Sequence, residues 1–217
     1  MGNLARAALQ FVVKRLKPRA KLLTLGLDSC GKTMLLYRMQ QLCLDQQQPQ
    51  RDAQDEQDLQ PQSMQELHTF ATIGFNVESF QFKHVGFEAW EVGGSQPLLW
   101  RYYYQHTKFV VFVIDSTNRE RLKSAIAALN RVFRDSSAAA FLKDAPLLVF
   151  ANKQDREGCL TLDEIAEALI DGACCGDSED GVVRVALRRA WALIPLVAMT
   201  AQGVNDGLAW LAAQHKV

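Results

Sequence analysis

Apolar runs and helical spacings alternate along this chain. Lys21–Gly26 (KLLTLG) has the make-up of a short buried strand; a glycine-containing loop and a helical stretch, Lys32–Leu44, follow it directly. Phe75–Phe82 and Gly86–Val92 predict two strands around a tight turn at His84-Val85-Gly86. Phe109–Asp115 (FVVFVID) and Leu147–Ala151 (LLVFA) are continuous β-branched and aromatic runs, the pattern of strands covered on both faces. Asn118–Phe133 and Leu162–Ile170 have helical spacing. Ala192–Ala198 predicts a last strand, which Pro195 assigns to an edge because proline cannot donate to a ladder. Val204–His215 predicts the closing helix. Strands alternating with helices imply an α/β fold, a mostly parallel sheet flanked by helices. Ligands of such folds sit outside the carboxyl ends of the strands.

Two segments break the alternation. Asp45–His68 holds nine glutamines between Gln46 and Gln65, two prolines and few large apolar residues. It cannot bury enough surface to order itself and is expected to stay flexible. The stretch 171–181 is rich in glycine and acids and reads as a surface loop. The resulting division is an N-terminal segment, 1–20, and one domain, 21–217, with insertions at about 45–68 and 171–181.

Lysine plus arginine and aspartate plus glutamate number 24 each in 217 residues, so the net charge is zero. A duplex-binding protein usually carries a basic excess, so no nucleic-acid partner is expected. The charge is nonetheless uneven: Arg6, Lys14, Arg15, Lys17, Arg19 and Lys21 crowd the N-terminus without an acid among them. Leu4, Ala8, Phe11, Val12 and Leu16 recur there at helical spacing, the pattern of an amphipathic helix that lies on an anionic membrane surface. No apolar run reaches the roughly 20 residues of a spanning helix, and Arg6 and Gln10 interrupt anything resembling a secretory signal. The five cysteines, Cys30, Cys43, Cys159, Cys174 and Cys175, show no metal-hook spacing and read as reduced thiols.

The chemistry is concentrated in two motifs. Gly26-Leu27-Asp28-Ser29-Cys30-Gly31-Lys32-Thr33 fits G-x-x-x-x-G-K-[ST] between an expected strand and an expected helix, the context such a phosphate loop requires. Its glycines let backbone N–H groups turn toward phosphate oxygens, and the helix adds the positive end of its dipole. Lys32 can reach the β- and γ-phosphates, and the Thr33 hydroxyl can ligate Mg²⁺. Asn152-Lys153-Gln154-Asp155 follows the strand Leu147–Ala151. A carboxylate at Asp155 can accept two hydrogen bonds from the N1–H and N2–H₂ edge of guanine, a donor pair adenine lacks, and so select GTP or GDP. The Lys153 stem can lie over the base plane, and Asn152 can bind backbone and base nearby. An ATP-consuming phosphate-loop enzyme is the competing reading; the guanine-type motif argues against it.

GLDSCGKT, TIGFNVE, WEVGG, LWRYY, VFVIDSTNRERL, LLVFANKQD and GLAWL resemble, in order, segments of the ADP-ribosylation-factor and Arf-like family of small G proteins. The resemblance runs from about Lys21 to Leu211. It implies a Ras-like G domain with a six-stranded sheet that cycles between GTP and GDP and meets effectors, exchange factors and GTPase-activating proteins. By it, Thr72 lies in a first switch and meets Mg²⁺ and the γ-phosphate, and the Gly94 N–H in a second switch faces the same phosphate. Ala198 supplies a backbone N–H to guanine O6, and Glu91 stands near Mg²⁺ through a water. Phe75, Trp90 and Tyr103 form an aromatic effector surface. The resemblance further implies regulation of vesicle or protein transport on the cytosolic face of endomembranes such as the Golgi. Gly2 is a candidate for myristoylation, although Arg6 stands where the common acylation string has Ser or Thr.

The departures from the family are informative. Glu91 replaces an aspartate and is one methylene longer. Ser95 replaces the glutamine that orients the attacking water, with Gln96 one position off. The stretch from Gly94 to Trp100 is about two residues short. Ala71 stands where the family has proline, and Met199 and Thr200 replace a polar pair. Nucleotide binding is expected to survive these changes. Hydrolysis is expected to be weak, so that no catalytic residue is assigned and a non-hydrolysing nucleotide-bound scaffold is the alternative.

Overall fold

The computed structural model describes residues 19–46, 72–171 and 189–215. The expected amphipathic helix, Gly2 and nearly all of both insertions lie outside these residues. Ala20, which the sequence division places in the N-terminal segment, instead opens the first strand, where it is buried and paired with Phe87.

Six strands form one sheet: β1 (Ala20–Leu25), β2 (Phe75–Phe82), β3 (Val85–Val92), β4 (Thr107–Asp115), β5 (Leu147–Asn152) and β6 (Trp191–Leu196). Their order is β2-β3-β1-β4-β5-β6. All neighbours run parallel except β2 and β3, which form an antiparallel hairpin. Alternation along each strand divides the apolar side chains between two cores. Leu22, Val111, Val113, Leu148 and Phe150 meet α1 (Lys32–Asp45) and the closing helix. Leu23, Leu25, Val110, Phe112, Ile114 and Val149 meet the helices on the opposite face. In order, those are α2 (Arg119–Arg134), α3 (Ser136–Phe141) and α4 (Leu162–Asp171), and the closing helix is α5 (Val204–Gln214). Both faces are therefore covered, and β4 and β5 read as unbroken apolar runs for that reason.

Helix starts follow local chemistry. Asn118 accepts the Arg121 N–H and caps α2. Thr161 and Glu164 bond reciprocally to each other's backbone N–H, a capping box that opens α4. Asp135 caps the short α3 by accepting from the Ser137 N–H. That helix, and a 3-10 helix at Pro97–Tyr103, were not evident from spacing because each is too short to display a period.

Three expected boundaries change. The β2–β3 turn is Lys83-His84, not His84-Val85-Gly86: Val85 is buried and pairs with Phe82, while Lys83 takes the left-handed conformation at φ 52°. The last strand stops at Leu196, because Val197 bridges back to Gln202 and turns the chain. Asp45 and Asp171, counted with the insertions, are instead the last residues of α1 and α4. Pro195 does lie on an edge strand.

Candidate functional site

The loops that leave the carboxyl ends of β1, β3, β5 and β6 converge on one cleft of about 590 Å³. That volume suits a nucleotide-sized ligand. Lys32, Thr72, Gly94, Asn152, Asp155 and Ala198, predicted from five separate segments, all line it. Asp28, Ser29, Gly31, Thr33, Glu91, Ser95 and Lys153 line it too. Gly26, Leu27 and Cys30 do not reach the wall. The Cys30 side chain points into the core, where burial pushes its thiol pKa up and leaves it inert.

The phosphate loop is held in its curl by unlike contacts. Lys32 is buried, and its Nζ donates to the Leu27 carbonyl at 2.8 Å, which stations the ammonium across the loop. Gly31 has φ 99°, and a Cβ there would stand 2.2 Å from Asn152 Nδ2, so only glycine fits. Asp28 faces Arg121 of α2, whose Nη2 lies 2.5 Å from Oδ1 and whose Nη1 also donates to the Asp28 carbonyl at 3.2 Å. That hydrogen bonding holds the Asp28 carboxyl below the usual carboxylate range.

The segments expected to be switches close on this loop. Gly93 N–H donates to the Gly74 carbonyl at 2.9 Å, and Trp100 Nε1 donates to the Gly93 carbonyl at 2.9 Å. A Cβ on Gly94 would lie 2.3 Å from the Asp28 nitrogen, so the backbone after β3 rests directly on the phosphate loop. Glu91, 1% exposed, gathers the rest. Its Oε1 accepts from Thr33 Oγ1 at 2.5 Å and from Thr72 Oγ1 at 3.1 Å, and the two hydroxyls lie 3.2 Å apart. Its Oε2 accepts from Asn76 Nδ2 at 2.7 Å. Ser95 is exposed at the rim of the cleft; Gln96 is exposed outside it.

Asn152, buried against the phosphate loop, works in both directions. Its Nδ2 donates to the Cys30 carbonyl at 2.8 Å and its Oδ1 accepts the Ala198 N–H at 3.0 Å. The N–H expected for guanine O6 is thus engaged by Asn152 in this structure. Lys153 sits at φ 68°, and its Nζ pairs with Asp115 Oδ2 at 2.6 Å. Burial alone would raise the Asp115 carboxyl, but hydrogen bonds from Lys153 and Thr117 outweigh it and hold it low. Asp155 remains partly exposed at the cleft wall beside Arg156. Arg38 of α1 donates to the Met199 carbonyl and ties down the loop after β6.

Phe75, Trp90 and Tyr103, far apart in sequence, form one aromatic cluster on the outer face. The Phe75 and Trp90 rings stack with centroids 5.1 Å apart, and Tyr103 lies 5.6 Å from Phe75. Lys21 braces the cluster from beneath: its Nζ sits 4.6 Å over the Trp90 ring and donates to the Tyr103 carbonyl. Phe75 is half exposed, while Trp90 and Tyr103 are partly buried and pack against the core beneath.

Sequence reasoning missed Asp115, Arg121, Asn76 and Arg38. Asp115 carried a usable signal, an acid at the carboxyl end of a buried parallel strand. The other three become site residues only through tertiary contact; Asn76 and Arg121 stand inside the family-like segments TIGFNVE and VFVIDSTNRERL, but neither string shows which residue each will meet.

The ADP-ribosylation factor family model matches residues 57–215. The fold is similar to the solved structure of the Arl6 (BBS3) small GTPase of Trypanosoma brucei with a bound nucleotide analogue. That likeness has 25% sequence identity and a TM-score of 0.66, and it covers 90% of this chain and 96% of the other. Phosphate loop, guanine-type motif, sheet order and family match agree: this chain belongs to the ADP-ribosylation factor family and has the Ras-like G-domain fold of its GTP-binding switch proteins.

Proposed function

We propose that this protein is an Arf-like switch that binds GTP and GDP with Mg²⁺ and hydrolyses GTP slowly. The observation that carries the reading is the convergence of Lys32, Thr72 and Gly94 on the same cleft that Asn152 and Asp155 line. The residues expected to recognise phosphate and those expected to recognise the base thus share one cleft, which supports the reading. A third phosphate would add contacts to Thr72 and Gly94 that a diphosphate lacks, and a ligand shifts a conformational equilibrium only by such a difference. Thr33, Thr72 and Glu91 present hard oxygen donors of the kind magnesium prefers. The ion would neutralise charge on the phosphates; these three side chains would hold it between the loops.

Slow hydrolysis rests on Ser95. Its side chain stands at the position of the water-orienting glutamine and is two to three bonds too short for that work. The reading favoured next, a nucleotide-bound scaffold that does not turn over, rests on the same residue. On the membrane side, the Leu4/Ala8/Phe11/Val12 face and its basic flank would dock on the cytosolic face of an endomembrane when GTP is bound, with Gly2 as an acylation site and transport as the setting. The aromatic cluster at Phe75, Trp90 and Tyr103 would take effectors. Mass-spectrometric identification of the nucleotide that co-purifies, with Mg²⁺ present throughout, tests the core of the reading. Guanine nucleotide supports it; adenine nucleotide, or equal affinity for GTP and ATP, overturns it.

A further inference from the structure

Glu91 Oε1 meets the hydroxyls of both Thr33 and Thr72. Three oxygens stand in a triangle: Thr33 Oγ1 to Glu91 Oε1 at 2.5 Å, Thr72 Oγ1 to Glu91 Oε1 at 3.1 Å, and the two hydroxyls at 3.2 Å. Ligands of an octahedral magnesium ion lie at ~2.1 Å, which puts neighbouring ligands about 3.0 Å apart. Two of its edges, at 3.1 and 3.2 Å, are close to those of an octahedral face, and the third, at 2.5 Å, is a tighter hydrogen bond. The second carboxylate oxygen is engaged by Asn76 Nδ2 at 2.7 Å, which turns Oε1 toward the threonines. Glu91 is 1% exposed, and among the described residues no lysine or arginine forms an ion pair with it. A carboxylate buried among neutral donors alone is costly, and a cation on its free side removes that cost.

We propose that Glu91 is a direct ligand of the magnesium ion, sharing a face of its coordination shell with Thr33 and Thr72. This rests on the guanine-nucleotide reading above and replaces the water-mediated role expected for the position. The extra methylene extends the carboxylate by about 1.5 Å, one C–C bond. That is the order of distance that separates a carboxylate reaching the ion through water from one that touches it. Asn76 is the positioning residue for the carboxylate.

The test counts waters on the metal. Protein loaded with a non-hydrolysable GTP analogue and Mn²⁺, which shares magnesium's preference for octahedral oxygen donors, is placed in oxygen-17-enriched water. The broadening of the Mn²⁺ paramagnetic resonance line then reports the bound waters. Two threonines, two phosphate oxygens and Glu91 leave room for one water; a water-mediated Glu91 leaves two. The wild type is expected to show one and Glu91→Asp two. Two waters in the wild type, or equal counts in both proteins, overturns the proposal. Should Glu91→Asp fail to fold, the wild-type count alone decides. A wild type that takes up no GTP analogue at all overturns the nucleotide reading itself, and this proposal with it.

Discussion

Asn152 and Cys30, 122 positions apart, are joined by a buried hydrogen bond of 2.8 Å from the Asn152 amide to the Cys30 carbonyl. The other end of the same amide accepts the Ala198 N–H. One side chain thus fixes the phosphate loop, the strand-end motif and the last loop relative to one another. The first residue of the guanine-type motif is structural before it touches any base.

Asn152→Ala removes that tie and leaves a buried carbonyl and a buried N–H unpaired. Each such loss costs about 1–3 kcal/mol. The variant is expected to lose on the order of 3 kcal/mol of stability and to release nucleotide faster. Urea unfolding measures the first, and displacement of a fluorescent GDP by excess unlabelled GDP measures the second. An unchanged midpoint would show that water replaces the amide without penalty.

Lys32→Ala is expected to lower affinity for GTP and GDP by orders of magnitude, since a buried ammonium no longer meets the phosphates. Asp155→Asn, at a partly exposed position, is expected to keep the fold and lose preference for guanine over other bases. Fluorescent-nucleotide titrations with GTP, ITP and ATP separate the two effects. Full GTP affinity in both variants would refute the assigned site.

Gly94→Ala places a Cβ 2.3 Å from the Asp28 nitrogen and 2.5 Å from the Gly26 carbonyl oxygen. Backbone cannot yield as a side-chain tip does, so the segment after β3 must lift from the phosphate loop. Affinity for a GTP analogue is expected to fall at least tenfold, and affinity for GDP by less. Equal losses for the two nucleotides would mean that Gly94 does not sense the third phosphate.

The Asp115–Lys153 pair makes acid stability a readout. The Asp115 carboxyl is held low in the folded protein. Its contribution is therefore fully present above the ordinary carboxylate pKa of about 4 and is lost as pH falls through the lower folded value. Asp115→Asn is expected to flatten the acid limb of a melting-temperature profile between about pH 5 and 2 while destabilising the protein at neutral pH. A parallel acid limb in wild type and variant would assign the transition to other carboxylates, Asp28 foremost.

The proposal of slow hydrolysis rests on Ser95. Intrinsic GTP hydrolysis is expected at or below the ~10⁻⁴ per second of unassisted switches. Ser95→Gln is expected to raise it only if the loop between Gly94 and the 3-10 helix can aim the longer side chain. Single-turnover phosphate release from GTP-loaded protein decides. A fast wild type would hand the role of orienting water to Gln96 or another group.

The sequence determined a great deal on its own. The two motifs, the β-rich runs and the helical spacings are local patterns, and local patterns survive without coordinates. Backbone curl at Gly26–Thr33 follows from glycine placement, and strand burial follows from unbroken apolar runs such as FVVFVID. Tertiary structure decided what depends on distance. It set the Lys83-His84 turn, because only pairing shows that Val85 faces Phe82. It brought Arg121 to Asp28, Asn76 to Glu91 and Lys153 to Asp115, partners whose separations in the chain carry no period. It also gathered Phe75, Trp90 and Tyr103 into one cluster, which no spacing along the chain predicts. Motif chemistry is written in neighbouring residues, but the charge and hydrogen-bond partners that tune it are chosen by the packing of strands and helices that meet only in the folded chain.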